Sequence, residues 1–208
     1  MKIAVIGTGS IGQAYARALH DAGCEVVIGD RDPGRAAALA LALGASIEGG
    51  GVAAALKLAD VVILALPYPA TVDVIRDAGS VDGKIIVDVS NPVSADFQDL
   101  LVGLTTSAAE ELQHVAAGAH VVKAFNTIFA QLIPPASRIG KALQVLIASD
   151  NAAAKREAST LARLLGFVPV DAGPLRNSRY IEPIGMMNIQ FGFFLGAGPS
   201  TAPAWLHT

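Results

Sequence analysis

A short glycine-rich stretch near the start of the chain has the residue types and spacing that hold a diphosphate. Gly7, Gly9 and Gly12 follow an apolar run and form the pattern G-x-G-x-x-G. Gly7 permits a tight turn, Gly9 leaves the backbone open to a pyrophosphate, and Gly12 allows a helix to pack closely on a strand. Free N–H groups at the start of that helix then bind the anion. Placed between an apolar strand and a helix, the pattern predicts a dinucleotide-binding turn.

Charged residues that bear on the choice of nucleotide follow the second apolar run. Asp30 lies 18 positions beyond Gly12, about where an acid meets the adenosine ribose in such folds. Its carboxylate would accept hydrogen bonds from the ribose hydroxyls and repel a 2′-phosphate, which favours NAD. Arg31 favours NADP because a guanidinium pairs with a phosphate, although it could also stack on adenine; Arg35 could join it or be an ordinary solvated charge. The residues lean slightly towards NAD and leave the use of both nucleotides open.

The other strand ends predict a crevice without a strong acid, base or nucleophile. Ligands of open parallel sheets lie beyond the carboxyl ends of the strands. Those ends carry small, polar or turn-forming residues, namely Leu66, Pro67, Tyr68, Ser90, Asn91, Pro92, Asn126 and Thr127. We therefore assign no catalytic residue. Hydride transfer between two redox cofactors needs two rings stacked at short range, not a protein acid or base.

The remaining titratable residues fit structural roles better than catalytic ones. Lys123 lies in the middle of an apolar strand, where pairing or burial of its stem is expected. No carboxylate orients a histidine at a recognisable spacing, so all four are expected to be structural or solvated, namely His20, His114, His120 and His207. The sequence has no metal-ligand spacing, and we predict no metal.

The elements that would position these residues alternate along the chain. Strands are predicted at 2–7, 25–29, 60–66, 84–90, 120–126, 143–150 and 167–173, with a short one at 45–49. Helices are predicted at 10–22, 33–43, 107–117 and 151–165. Asp32 and Pro33 suit the N-cap and first turn of the second helix. This alternation predicts an α/β fold with a doubly wound, mostly parallel sheet.

We expect one continuous domain over residues 1–208, because no linker, repeat or low-complexity tract interrupts the pattern. A last helical region at about 177–195 is predicted to close the pocket. Only about 35 residues follow the last strand, which is too few for a large helical substrate domain. The second ligand should therefore lie against the nucleotide-binding domain itself, under that helix, and a flat molecule suits this arrangement.

Composition narrows the classes of partner. The chain has 208 residues, a net charge of −3 and one cysteine, Cys24. This charge gives no basic field for nucleic acid, and a single cysteine allows no internal disulfide, which favours a cytoplasmic location. The first strand leaves no room for a signal peptide, and the apolar stretch 183–199 is too short and polar for a membrane span. A mean hydropathy of +0.50 indicates that a partner subunit covers some apolar surface.

The chain resembles the F420-dependent NADP oxidoreductase family in six segments, GTGSIG, VVIGDRDP, LALPY, IVDVSNP, VVKAFNT and AGPLRNSRYIEP. It is also similar to the nucleotide domain of the STEAP ferric reductases. The resemblance extends to about Phe194, and VVKAFNT and GPLRNSRYIEP are its more specific parts. It implies a Rossmann-like fold, often a homodimer, and direct hydride exchange between NADPH and a deazaflavin or flavin ring.

The resemblance also implies roles for single residues at the dinucleotide. Thr8, Ser10 and Ile11 would face the pyrophosphate. Arg31 and Arg35 would hold the 2′-phosphate. This chain departs from the family at Asp30, where the family commonly has a small residue such as serine. We name NADP first on the strength of the resemblance, with NAD as the alternative because of Asp30.

A second set of residues would lie near the reacting rings. The resemblance places Pro67, Asn91 and Pro92 near the ribose and the nicotinamide, next to Leu66. It implies that the nicotinamide and acceptor-ring site is shaped by Ala124, Asn126 and Thr127.

Three functions are compatible with these features. The leading one is an oxidoreductase that passes hydride between NAD(P)H and F420 or a flavin. The second is reduction of a small imine or carbonyl substrate, which needs a proton donor that only Tyr68 or Tyr180 could supply. The third is a module that senses NAD(P) without turnover. The acceptor, the direction of flux and the oligomeric state stay open.

Overall fold

Strands and helices alternate along the chain, as the sequence predicts. A computed structural model describes residues 1–206, so His207 and the end of the predicted domain lie outside the described residues. The strands are β1 (Lys2–Ile6), β2 (Glu25–Asp30), β3 (Glu48–Gly51), β4 (Val61–Leu64), β5 (Ile85–Asp88), β6 (His120–Lys123), β7 (Gln144–Ile147) and β8 (Val168–Asp171). The helices are α1 (Ser10–Asp21), α2 (Pro33–Leu43), α3 (Val52–Leu58), α4 (Tyr68–Asp77), α5 (Ala108–Val115), α6 (Ala152–Leu164) and α7 (Ser178–Ile189).

Six of the strands form one parallel sheet in the order β3-β2-β1-β4-β5-β6. Its central strands are continuous runs of Val, Ile, Leu and Ala with almost no exposed surface, which is typical of a parallel sheet covered by helices on both faces. The strand order reverses between β1 and β4, and such a reversal opens a crevice beyond the carboxyl ends of the strands. The predicted α/β, doubly wound, Rossmann-like fold is confirmed.

The last two strands do not extend this parallel ladder. β7 and β8 pair with each other in parallel around α6. An antiparallel bridge joins Lys123 of β6 to Ala148, the residue directly after β7. A parallel neighbour needs a crossover of a dozen or more residues, usually helical. The connection from β6 to β7, residues 124–143, is long enough, but it contains two short 3-10 turns, Ala130–Leu132 and Pro135–Arg138, in place of an α-helix. β7 meets β6 in the opposite direction.

Several predicted boundaries differ from those in the structure. The short third strand lies at Glu48–Gly51, later than the predicted 45–49, because its residues pair with the end of β2. The predicted helix at 177–195 is divided into α7 and a π-helical turn at Gln190–Phe194. The start of α2 is confirmed, since Asp32 Oδ1 accepts hydrogen bonds from the N–H groups of Gly34 and Arg35. Among residues 1–206, no helix has the length and apolar character needed to cross a membrane.

Candidate functional site

The glycine turn between β1 and α1 combines two positions that the fold requires with one that faces open space. Gly7 has a φ of +109°, and a Cβ there would lie 2.5 Å from the carbonyl oxygen of Ala65. A Cβ on Gly12 would lie 2.0 Å from the carbonyl oxygen of Gly7, so helix and strand pack closely here as predicted. A Cβ on Gly9 would meet nothing within 4 Å. Gly9 is therefore free of any packing constraint and borders the space in front of the turn.

The start of α1 offers donors that the protein itself does not cap. The N-cap residue Gly9 has no side chain, and no acidic residue occupies the first turn. Gln13 donates its N–H to the carbonyl of Gly9, which leaves the earlier N–H groups of Ser10 and Ile11 without an intrahelical acceptor. An uncapped helix N-terminus with its positive dipole end fits a phosphate group.

A pocket of about 170 Å³ lies in front of this turn. Eight predicted residues line it, namely Gly7, Thr8, Gly9, Asp30, Arg31, Arg35, Leu66 and Pro67. Its apolar walls are not predicted from the sequence, because their residues carry no chemical signal of their own, namely Ile6, Val52, Ala65 and Val74. The volume is below the roughly 300–1,000 Å³ of complete small-molecule sites. A dinucleotide would therefore extend from this pocket along the open edge of the sheet.

Asp30 is the only acidic residue among those that line this pocket in the described part of the chain. Its Oδ2 accepts hydrogen bonds from the Thr8 N–H at 3.1 Å and the Thr8 Oγ1 hydroxyl at 2.6 Å. Its Oδ1 accepts from the Asp32 N–H at 3.0 Å. Burial alone would raise the pKa of Asp30, but these hydrogen bonds and the charge of Arg35 outweigh it and lower the pKa. The carboxylate is ionised and held in place at neutral pH.

A second part of the site lies at the ends of β5 and β6, where two asparagine side chains form a reciprocal pair. The Asn91 Nδ2 donates to the backbone carbonyl of Asn126 at 2.7 Å, and the Asn126 Nδ2 donates to Asn91 Oδ1 at 2.9 Å. The Asn126 Oδ1 is buried and accepts no hydrogen bond within residues 1–206. Phe125, directly before it, has a φ of +63°, which is uncommon for a bulky residue. A buried, unpaired acceptor beside strained backbone is typical of a ligand site.

Helix α7, which lies in the C-terminal region expected to close the pocket, covers this asparagine pair. A Cβ on Gly185 would lie 2.2 Å from Asn91 Oδ1 and 2.7 Å from Asn126 Nδ2, so only glycine allows this approach. The Asn188 Nδ2 donates to the carbonyl of Thr127 at 3.1 Å. However, no residue of α7 lines the pocket at the glycine turn. The helix closes the side of the crevice at β5 and β6 and leaves the glycine-turn side open.

A buried ion triad, which we define as Asp88, Lys123 and Glu182, attaches α7 to the sheet. The Lys123 Nζ lies 2.7 Å from Asp88 Oδ2 and 2.9 Å from Glu182 Oε1, and it also donates to the Ser90 carbonyl. Glu182 accepts the N–H groups of Ala108 and Ala109 at the start of α5. Burial alone would lower the pKa of Lys123, but the two carboxylates outweigh it and raise the pKa.

Lys123, for which the sequence predicts pairing or burial of its stem, is both paired and buried, but its two partners are not predicted. The sequence does contain a signal for these partners, which is an acidic residue in an otherwise apolar or uncharged setting. Asp88 ends an apolar strand, and Glu182 lies on the face of a helix whose other members are mostly uncharged and buried. A charge at such a position requires a partner of opposite sign.

The remaining predicted residues are less accessible. Ala124 has no exposed surface and packs in the hydrophobic core. Thr127 is 2% exposed, and Pro92 is also buried. The ligand contacts expected of these three residues stay predictions.

The tyrosines and histidines have surroundings of their own. The Tyr68 hydroxyl donates a short hydrogen bond to Glu111. The pKa of Tyr68 is raised, mainly by burial and also by this hydrogen bond. Tyr180 is 62% exposed. The His120 Nδ1 lies 3.2 Å from Asn151 Nδ2. Within the described residues, no group of three or more His, Cys, Asp or Glu side chains is arranged to hold a metal ion.

Comparison with known proteins gives a consistent assignment. Residues 2–92 match the family model described as NADP oxidoreductase coenzyme F420-dependent. The chain is 35% identical over 205 residues to the F420-dependent NADP reductase of Methanothermobacter thermautotrophicus, covering 88% of this chain and 86% of that protein. It is 33% identical over 183 residues to the metalloreductase STEAP3 of Rattus norvegicus, with 88% of this chain covered but only 36% of that longer protein.

A solved structure agrees with these sequence matches. The crystal structure of a putative F420-dependent NADP-reductase from Arthrobacter superimposes with a TM-score of 0.81 at 32% identity, and 92% of each chain is covered. The similarity in sequence and in structure thus covers 88–92% of the chain, and the segment matched by the family model includes the glycine turn and Asn91. The chain belongs to the F420-dependent NADP oxidoreductase family of enzymes.

Proposed function

We propose that this chain transfers hydride between a reduced nicotinamide dinucleotide, of which NADPH is the family's cofactor, and the deazaflavin F420. The observation that supports it most is the uncapped start of α1, which opens on a pocket lined by Asp30, Arg31 and Arg35. The relatives named as F420-dependent NADP reductases support the choice of acceptor. A flavin remains the alternative acceptor.

The residues of the chain would bind the dinucleotide in two parts. The N–H groups of Ser10 and Ile11 would hold the diphosphate, and Gly9 leaves the path of the phosphates clear. Leu66 and Pro67, which line the pocket after β4, would flank the sugar on the nicotinamide side. When bound, the dinucleotide supplies the hydride from its nicotinamide ring.

The asparagine pair would orient the ring. The buried Asn126 Oδ1 has the chemistry to accept a hydrogen bond from the nicotinamide carboxamide, which is a donor. Asn91 holds Asn126 in place through their two mutual hydrogen bonds. Helix α7 excludes water from this side of the crevice, and no protein acid or base is assigned a proton, since hydride transfer between rings requires none.

An absorbance assay tests this proposal. The purified protein is mixed with NADPH or NADH and with F420 or FMN, and the oxidation of the nicotinamide is followed. We expect oxidation that depends on F420 and is absent in a Gly9→Val variant. A lack of oxidation with every acceptor would contradict the proposal, and oxidation with FMN alone would replace the deazaflavin with a flavin.

Reduction of a small imine or carbonyl has less support. The hydroxyl of Tyr68 is already bonded to Glu111, and Tyr180 is largely exposed to solvent, so neither residue is a free proton donor held in a buried site. Activity that survives Tyr68→Phe and Tyr180→Phe would agree with transfer to a deazaflavin.

We further propose that the enzyme acts as a homodimer in the cytoplasm, its partners being small redox cofactors. Apolar side chains on and after α7 are about half exposed, namely Met187, Phe191, Phe193, Phe194 and Leu195. In a chain with few aromatic residues, such a cluster suits burial against a second copy. Light scattering that gives the mass of a single chain would contradict the dimer.

A further inference from the structure

Three hydrogen-bond donors at the glycine turn and the end of β2 converge on one carboxylate. The Thr8 N–H and the Thr8 hydroxyl both donate to Asp30 Oδ2, and the Asp32 N–H donates to Asp30 Oδ1. Backbone and hydroxyl donors of this kind, gathered at a concave turn, form the type of cluster that binds a phosphate. In this chain their anion is supplied by the protein itself.

The Asp30 carboxylate can accept one further hydrogen bond from a donor, but it cannot bind another anion. A carboxylate oxygen has two lone-pair positions, so Oδ2 is fully used by Thr8 and Oδ1 keeps one position after its bond from Asp32. A ribose hydroxyl can donate to that position. A 2′-phosphate brings only acceptors and about two negative charges, and it would have to displace Asp30 from its three donors.

Two arginines attract a 2′-phosphate and so oppose its repulsion by Asp30, but they do not cancel that repulsion. Arg31 and Arg35 line the same pocket, and neither forms an ion pair with a carboxylate in the described part of the chain. Both are exposed, so water and salt screen their attraction for a phosphate. Asp30 is half-buried and fixed by three hydrogen bonds, so its repulsion is screened less.

We propose that Asp30 determines the nucleotide specificity of this enzyme and that the chain binds NADH in preference to NADPH. The proposal rests on the dinucleotide site of the proposed function and not on the identity of the hydride acceptor. Arg31 keeps a role in either case, because a guanidinium can stack on adenine.

Binding measurements test it without turnover. The dissociation constants of NADH and NADPH are determined from the nicotinamide fluorescence for the wild type, Asp30→Ser and Asp30→Asn. We expect the wild type to bind NADH at least about tenfold more tightly, the scale of one charge-assisted hydrogen bond. Both substitutions should lower or reverse that ratio, because they remove the charge; Asp30→Ser also frees the donors of Thr8 and Asp32.

The control is Asp32→Asn, which removes a neighbouring charge. Asparagine can still cap α2, and the hydrogen bonds of Asp30 stay intact. We expect its NADH-to-NADPH ratio to remain within about twofold of the wild type, since exposed charges contribute little. Tighter binding of NADPH by the wild type, or an unchanged ratio in both Asp30 variants, would overturn the proposal. If neither nucleotide binds, both this proposal and the dinucleotide site of the proposed function are contradicted. NADH binding without hydride transfer to F420 would contradict only the choice of acceptor.

Discussion

Single residues of the glycine turn differ in what they do, although the sequence pattern treats them alike. Gly12 is fixed by packing, since a Cβ there would lie 2.0 Å from the Gly7 carbonyl oxygen, whereas a Cβ on Gly9 meets open space. The motif predicted both glycines correctly. It could not tell which of them the fold requires, because that depends on the distance between two backbones.

The two glycines therefore give opposite mutant phenotypes. We expect Gly9→Val to keep the free energy of unfolding within about 1 kcal/mol of the wild type while losing dinucleotide binding, because its branched side chain enters only the ligand space. Gly12→Ala should instead destabilise the fold by about 1–3 kcal/mol or more, the usual cost of overpacking. Urea unfolding and nicotinamide fluorescence, measured on both variants, separate the two effects. Equal losses of stability would show that Gly9 also has a packing role.

At the scale of elements, α7 is attached to the rest of the fold by two ion pairs of different kinds. The buried ion triad joins it to β5 and β6, with Lys123 completely buried. The second pair joins Arg179 to Glu110 of α5 at 2.6 Å, with both side chains about one quarter exposed. Because the ion triad is buried, its loss should lower the free energy of unfolding far more than loss of the Arg179–Glu110 pair.

We expect Lys123→Met to destabilise the protein by about 3–5 kcal/mol, because it leaves two carboxylates buried without a partner of opposite charge. Arg179→Met, the matched control at the second pair, should cost no more than about 1 kcal/mol. Chemical unfolding of both variants provides the measurement. A cost for Lys123→Met as small as that of the control would mean that water reaches the triad.

The sequence predicted the elements of the six-stranded sheet and most of the pocket, because apolar period, glycine spacing and strand ends are local signals. It predicted that Lys123 would be paired or would bury its stem, but it could not name Asp88 and Glu182, which lie far away along the chain in opposite directions. The arrangement of β7 and β8 was also out of reach. Strand periodicity does not reveal the direction in which two strands meet.

At the scale of the whole molecule, a ligand across the carboxyl edge would bridge parts of the chain that are distant in sequence. The proposed contacts involve the turn after β1, the end of β2, the ends of β4 and β5, and the segment after β6 under α7. Binding should therefore stabilise the fold as a unit. A ligand at a hundred times its dissociation constant adds about 2.7 kcal/mol to the free energy of unfolding.

For a chain of this size, each kcal/mol raises the Tm by about 2–4 °C, so saturating NADH should raise it by about 5–10 °C. The Gly9→Val variant should show no such shift, because its fold is kept and its phosphate path is blocked. Asp30→Ser should gain a shift with NADPH that the wild type shows only weakly. Calorimetry on the three proteins checks this expectation. A large NADH shift in Gly9→Val would place the nucleotide away from the start of α1.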